Sequence, residues 1–206
     1  MENSKKRKII ITKNHLRIAL FTYVVMLFAA ILIYNAWEKK SVEHTVQNFS
    51  FTDQTGKTIT EKDFQGRIYV ADFFFTTCKS ICPIMTNQMK RVVEKYKDEP
   101  TVLFLSHTVF PEHDSVNVLA EYAKNLNADA SRWHFVTGNK KELYDMARKS
   151  YFLSPDSGDG GKGDFVHTQK FALVDKNSHL RGFYDGTDSI DVNKLIADID
   201  RLLKTN

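Results

Sequence analysis

A run of 17 residues without a charged side chain, from Ile18 to Tyr34, constrains this chain of 206 residues more than any other feature. As a helix the run would measure about 25 Å, and with its flanking residues it reaches the length needed to cross a hydrocarbon core of about 30 Å. A helix buried in a protein core ordinarily shows a polar face, and this run has none. A cleaved signal peptide is the other alternative, but no pair of small residues typical of a cleavage site follows the run. We therefore expect residues 16–37 to form a single transmembrane anchor.

Basic residues cluster in front of this run. Residues 1–17 hold six Lys and Arg against one Glu, which leaves 23 basic and 24 acidic residues in the rest of the chain, so the formal charge of +4 comes from the N-terminal tail. The positive-inside rule keeps such a tail in the cytoplasm. We expect residues 1–15 to be a cytoplasmic tail, residues 38–48 a linker, and residues 49–206 a periplasmic domain held at the inner membrane. The nearly neutral domain shows no basic, aromatic-interleaved surface, which argues against a nucleic-acid partner.

Alternating strand and helix patterns in the exported part predict an α/β fold. The apolar run Ile68–Phe75 predicts a central strand that is covered on both faces, and the segment from Pro83 to about Lys97 has helical spacing. The order of elements predicts a three-layer sandwich. The remaining predicted elements are strands at Phe49–Phe51, Thr58–Thr60, Thr101–Leu105, Trp133–Val136, Val166–Val174 and Leu180–Tyr184, and helices at Asp114–Leu126, from Asn139 to about Lys149, and at Asp191–Leu203.

The chain has two cysteines, Cys78 and Cys82, which are too few for a disulfide scaffold and lie where a predicted strand passes into a predicted helix. Pro83 suits the first helical position, which would place Cys78 in the loop and Cys82 near the N-cap. A helix N-terminus favours a thiolate, so we expect both thiols to be more acidic than a free cysteine. Two thiolates at one point suit a soft ion such as Cu(I), and they equally suit thiol–disulfide exchange. The third alternative is that the cysteines are two small core residues or an inert disulfide.

The sequence around these cysteines resembles the Sco (SenC) family. The resemblance covers residues 45–204 and rests on a Cys-x-x-x-Cys-Pro motif after an aromatic strand, on an Asp-Phe-Val-His-Thr segment that contains His167, and on a Gly-Phe-Tyr-Asp-Gly hairpin after it. Members of the family are membrane-anchored, thioredoxin-like copper proteins of cytochrome c oxidase assembly. The resemblance therefore implies a thioredoxin-like fold, copper as Cu(I), Cu(II) or both, and a ligand set of Cys78, Cys82 and His167.

Three functions are compatible with this resemblance. The first is a metallochaperone that delivers copper to the CuA site of cytochrome c oxidase, with the oxidase subunit that carries CuA as its partner. A thioredoxin-like reductant would keep the cysteines reduced. The second is an enzyme, an extracytoplasmic thiol–disulfide oxidoreductase that reduces the recipient's cysteines, and a copper or redox sensor is a weaker third. The four-residue step between the cysteines, wider than that of Cys-x-x-Cys, favours metal binding.

Asp72 lies within the apolar run, six residues before Cys78, and resembles the buried acid of thioredoxins. A carboxylate in an apolar strand has a raised pKa and could exchange a proton with a nearby thiol. Such proton transfer would favour the oxidoreductase. The alternative is that Asp72 only bonds to the backbone at an irregularity of the strand.

Three further residues are weaker candidates for copper ligands. His107 and His113 follow the predicted strand at residues 101–105, and we expect both to be solvated loop residues. Met85 carries a soft sulfur one turn after Cys82, and we expect it to pack in the core. The Sco family commonly has an Asp-Pro pair in this loop, whereas this chain has Phe110-Pro111.

Overall fold

The computed structural model describes residues 20–29, 44–154, 161, 164 and 166–205. The chain divides into two compact units, Met1–Val42 and Glu43–Asn206. Residues 20–29 are helical, and among the described residues no helix has the length and hydropathy that a membrane span requires. The predicted tail, much of the predicted anchor and most of the predicted linker lie outside the described residues, so these assignments stay predictions.

Within the described part of the second unit, seven strands form one mixed sheet in the order β2-β1-β5-β4-β3-β6-β7. The central strands β3, β4 and β5 are parallel, and each of the other pairings is antiparallel. The first two and the last two of the predicted strands each pair as an antiparallel hairpin. The strands are β1 (Ser50–Asp53), β2 (Thr58–Thr60), β3 (Ile68–Phe74), β4 (Val102–Thr108), β5 (Trp133–Thr137), β6 (Lys170–Val174) and β7 (Leu180–Asp185).

Helices cover the sheet on both faces. Side chains alternate along a strand, so successive residues of β3 enter different cores. Ile68 and Val70 pack in the core beneath α1, α2 and α4, whereas Tyr69 and Ala71 pack in the core beneath α3. By the same alternation Asp72 lies on the first of these faces, called the α1 face here, and the predicted three-layer arrangement is confirmed. The helices are α1 (Ile81–Lys95), α2 (Val116–Leu126), α3 (Lys140–Asp145), which continues as a π-helical segment (Met146–Ser150), and α4 (Ser189–Lys204).

Helix α1 begins earlier than the sequence predicted. Ile81 is its first residue, so Cys82 and Pro83 occupy the second and third helical positions. A proline is tolerated there because the N–H groups of the first turn have no acceptor within the helix. Cys82 therefore lies inside the first turn rather than at the N-cap.

Strand β4 extends to Thr108, three residues beyond its predicted end, and this corrects the expectation for His107. The His107 side chain is fully buried within the sheet, and its Nδ1 donates to the carbonyl oxygen of Asp72 at 3.2 Å. Its ring stacks on Phe73, with the ring centroids 4.7 Å apart. The prediction of a solvated loop histidine was wrong, because pairing with β3 and β5 carries the strand through a polar stretch.

Strand β6 is shorter than predicted and begins at Lys170 instead of Val166. Its pairing with β3 covers only Ala172 to Val174. Just before the strand, the carbonyl oxygen of Gln169 accepts the N–H of Gly186 at 2.7 Å. His167 consequently lies in the segment that leads into β6 and does not open the strand.

Candidate metal centre

The two cysteines come together where β3 passes into α1. A turn closed by a 3.2 Å hydrogen bond from the N–H of Cys78 to the carbonyl oxygen of Phe75 directs the chain toward the helix. The N–H of Cys82 then donates to Cys78 Sγ at 3.4 Å. The first N–H groups of a helix have no acceptor within the helix, and the N–H of Cys82 is one of them. Cys78 Sγ therefore provides the acceptor that this N–H would otherwise lack.

The two thiols differ in exposure and in acidity. Cys78 is partly exposed, whereas Cys82 is buried among the core residues under α1. Burial opposes ionisation of Cys78, but hydrogen bonds from the Cys82 thiol and from the backbone N–H groups of Ser80 and Cys82 outweigh it and lower the Cys78 pKa. Burial, together with the hydrogen bond to Cys78, raises the pKa of Cys82 to about 12. The expectation of two acidic thiols was right for Cys78 and wrong for Cys82.

Asp72 is a buried acid on the α1 face. Desolvation raises the pKa of its carboxyl to about 7, against a hydrogen bond from Ser106 that lowers it. Ser106 Oγ accepts the indole N–H of Trp133 at 2.9 Å, so its own hydrogen is left for the carboxyl. Oδ1 of Asp72 is buried without a hydrogen-bond partner among the described residues. The raised pKa predicted from the sequence is confirmed, and the charge of Asp72 also contributes to the raised pKa of Cys82.

His167 is exposed and follows the buried residue Val166. Among the residues that the structure describes, no three His, Cys, Asp or Glu side chains are grouped closely enough to hold a metal ion. The fold brings Cys78 and Cys82 together, and His167 lies in the segment before β6. The three-residue ligand set stays a prediction.

A fully buried carboxylate, Asp114, binds the loop in front of Cys78. Its Oδ2 accepts the N–H of Thr76 at 3.2 Å and the hydroxyl of Thr108 at 2.5 Å. Its Oδ1 accepts the hydroxyl of Thr76 at 2.5 Å and Nδ1 of His113 at 2.9 Å. The sequence pattern predicts Asp114 only as the first residue of a helix, whereas α2 begins at Val116. The sequence nevertheless contained a signal for Asp114, because an acid that follows a central parallel strand lies at the carboxyl end of the sheet, where functional loops are found.

His113 and Met85, the other two candidate ligands, differ in exposure. The side chain of His113 is 44% exposed, and its ring stacks on Phe110 with the centroids 5.6 Å apart. A carboxylate only accepts, so Nδ1 of His113 carries the hydrogen that bonds to Asp114. Met85 is buried in the core under α1, as expected.

The SCO1/SenC family model matches residues 38–204 of this chain. The chain belongs to the SCO1/SenC family. The SCO1 protein homolog of Bacillus subtilis (strain 168) is 30% identical over 163 residues, which cover 78% of this chain and 84% of that protein.

Solved Sco structures share the fold. BsSco, a member of the Sco family of cytochrome c oxidase assembly proteins in which a disulfide switch was identified, matches with a TM-score of 0.68 and 29% identity, covering 81% of this chain and 98% of that structure. ScoI of Arabidopsis thaliana, solved with copper bound, matches with a TM-score of 0.61 and 24% identity, covering 79% of this chain and 99% of that structure. The thioredoxin-like α/β fold implied by the resemblance is confirmed.

Proposed function

We propose that this Sco protein binds copper and acts as a metallochaperone in cytochrome c oxidase assembly. The observation that carries the proposal is the adjacency of two cysteines where the loop after β3 meets α1, with Cys78 Sγ 3.4 Å from the backbone nitrogen of Cys82. Paired thiolates are donors that select Cu(I), and an imidazole also accommodates Cu(II). Membership of the family and the copper-bound relative from Arabidopsis thaliana support the same conclusion.

The residues at this site fit copper in donor type and in access. Cys78 is partly exposed and has the lowered pKa, so its thiolate would meet the ion first. Cys82 would lose its proton as the ion binds, because metal binding displaces protons from its ligands. His167, exposed in the segment before β6, is the third ligand that we propose.

Delivery to the CuA site would proceed by ligand exchange. Thiols of the recipient would replace Cys78 and Cys82 one at a time, so the copper ion never leaves a sulfur environment. The partial exposure of Cys78 leaves one of the two sulfurs accessible to a recipient. The cysteines must be reduced for this exchange, and a thioredoxin-like partner would supply the two electrons that reopen a Cys78–Cys82 disulfide.

A competition titration with a chromophoric Cu(I) chelator tests the proposal on the reduced full chain. We expect one tightly held Cu(I), lost in Cys78→Ser and Cys82→Ser and weakened at least about tenfold in His167→Ala. His179→Ala is the matched control, because His179 lies in the turn between β6 and β7, away from the cysteines, and should retain the parent affinity. Equal affinities in His167→Ala and the parent would remove His167 from the site. A parent that holds no Cu(I) would overturn the proposal.

Thiol–disulfide exchange is a second candidate, favoured by the unequal thiols. The Cys78 thiolate would attack a disulfide of the recipient, and Cys82 would then attack the mixed disulfide, releasing two recipient thiols and leaving a Cys78–Cys82 disulfide. Asp72, with a pKa of about 7, would accept the proton of Cys82. Asp72→Asn should therefore slow reduction of a disulfide peptide while Cu(I) affinity stays unchanged. An unchanged rate would leave Asp72 without a part in this chemistry.

We further propose that residues 16–37 anchor the protein in the inner membrane and that the domain after residue 38 is periplasmic. The uncharged run from Ile18 to Tyr34 and the basic tail before it support this topology. Protease added to intact spheroplasts should digest the domain. Protection of the domain until the membrane is lysed would contradict the topology.

A further inference from the structure

The hydrogen-bonding capacity of the Asp114 carboxylate is fully used. A carboxylate offers about four acceptor positions, and this one accepts four hydrogen bonds. Two of the donors belong to Thr76 in the cysteine loop, one to Thr108 at the end of β4, and one to His113. The end of β4 and the start of the cysteine loop are thus joined through a single buried side chain.

Thr76 is the residue through which Asp114 reaches the thiols. It lies two residues before Cys78, inside the turn that Cys78 closes on the carbonyl oxygen of Phe75. Each side chain from Thr76 to Ser80 is half-buried or exposed, and of these Cys78 packs against the core under α1, so among the described residues the first part of the loop has no such packing to fix it. The paired bonds from the N–H and the hydroxyl of Thr76 to Asp114 therefore hold the loop against the rest of the sheet.

We propose that Asp114 is the positioning residue of the Cys78 thiol. By fixing Thr76 it holds Cys78 Sγ against the start of α1, which makes the two thiols act together on a shared metal ion or on each other. Donors that are already in place bind without the cost of ordering them, and a loosened loop lowers the effective concentration of one thiol toward the other. The copper part of this inference rests on the proposed function, and the disulfide part does not.

Asp53 provides a matched control within the same chain. It is also buried, and it accepts the N–H and hydroxyl of Thr55 at 2.9 and 2.6 Å, the N–H of Lys57 at 3.0 Å and Nδ1 of His134 at 3.1 Å. Both carboxylates thus hold a threonine by two bonds and a histidine by one. Strands β5 and β4 lie between β1 and β3, so the turn that Asp53 closes is set apart from the cysteine loop by the width of two strands.

The test measures two equilibrium constants on the full chain purified in detergent. One is for the reaction of the dithiol with oxidised glutathione, which gives the Cys78–Cys82 disulfide and two reduced glutathione molecules. The other is the Cu(I) affinity from chelator competition. Both are measured for Asp114→Ala and Asp53→Ala, with the denaturation midpoint of each variant as the measure of its stability.

We expect Asp114→Ala to lower both constants by about tenfold and Asp53→Ala to change neither by more than about twofold, although both variants lose stability. Thr76→Val removes one donor and keeps the Asp114 side chain, so it should lower both constants by about threefold. Thr76→Ser keeps the hydroxyl donor, so both constants should stay at the parent values. This pair separates positioning from a charge effect. It also decides the question if Asp114→Ala does not fold.

The outcomes distinguish the inference from the function on which it partly rests. If Asp114→Ala and Asp53→Ala change the two constants equally, Asp114 has no positioning role, while tight Cu(I) binding by the parent would keep the copper proposal. If the parent binds no Cu(I) but Asp114→Ala still lowers the disulfide constant, the positioning role holds and the copper proposal fails. Unchanged constants in Thr76→Val would also overturn the positioning role.

Discussion

Asp72 and His107 are buried titratable residues on neighbouring strands, and they lie on opposite faces of the sheet. Burial raises the pKa of Asp72 to about 7 and lowers that of His107 to about 4, so it favours the neutral form of each. Asp72 lies on the α1 face with the cysteines, whereas the ring of His107 is enclosed by aromatic side chains on the other face. The same desolvation therefore lowers the stability of the native state at high pH through Asp72 and at low pH through His107.

Asp72→Asn should have the largest effect on the pH dependence of stability. In the unfolded chain the carboxyl titrates near 3.8, so below that pH both states are protonated and the burial has no ionisation cost. As the pH rises through 7 the native state loses stability, and between pH 5 and pH 8 the parent should lose about 3 kcal/mol more than the variant. Urea denaturation at the two pH values measures the difference, and equal losses in the two proteins would show that Asp72 ionises normally.

His107→Phe should reveal a smaller dependence of the opposite sign. The unfolded histidine takes up a proton near pH 6.5, whereas the native one resists protonation until about pH 4. Stability is therefore complete above pH 6.5 and falls as the pH is lowered. Between pH 7.5 and pH 5 the parent should lose about 2 kcal/mol more than the variant. A parent and variant with parallel urea midpoints over this range would contradict the prediction.

The smallest expected effect is on the reactivity of the Cys82 thiol, and it tests whether Asp72 or His107 acts on that thiol. The charge of Asp72 contributes to the raised pKa of Cys82, whereas His107 lies on the other face of the sheet, stacked on Phe73. In a Cys78→Ser background at pH 8.5, Asp72→Asn should speed alkylation of Cys82 by iodoacetamide about threefold, because it removes a like charge near the thiolate. His107→Phe in the same background is the matched control and should leave the rate unchanged. Equal acceleration by both variants would indicate a general loosening of the domain.

Much of the fold could be predicted from local pattern. The apolar run at residues 68–75 identified the central strand, and an acid inside that run was enough to predict the raised pKa of Asp72. The length of β4 could not be predicted in this way, because residues 106–108 are polar. They belong to the strand through their pairing with Asp72, Phe73 and Phe74, and such tertiary pairing overrides local preference.

The candidate site could be predicted only in part. Pro83, as a residue suited to the first helical position, was enough to predict Cys78 in a loop and Cys82 near the N-cap. The pKa of Cys82 is raised because the effect of burial is larger than the opposing effect of the helix N-terminus. How deeply one position is buried depends on the assembled core, so the direction of this shift could not be predicted. The contacts of Asp114 were not predictable, because its partner Thr76 is 38 residues away in the sequence.

The sulfur of Cys78 takes the place of the side-chain oxygen that caps most helices. Ser80, at the N-cap of α1, makes no capping bond of its own within the described residues. When the lone pairs of Cys78 Sγ are engaged by a metal ion or a disulfide, the N–H of Cys82 has to share its acceptor or lose it. The rate of amide hydrogen exchange at Cys82 should therefore depend on whether Cys78 Sγ is a free thiol, a metal ligand or part of a disulfide.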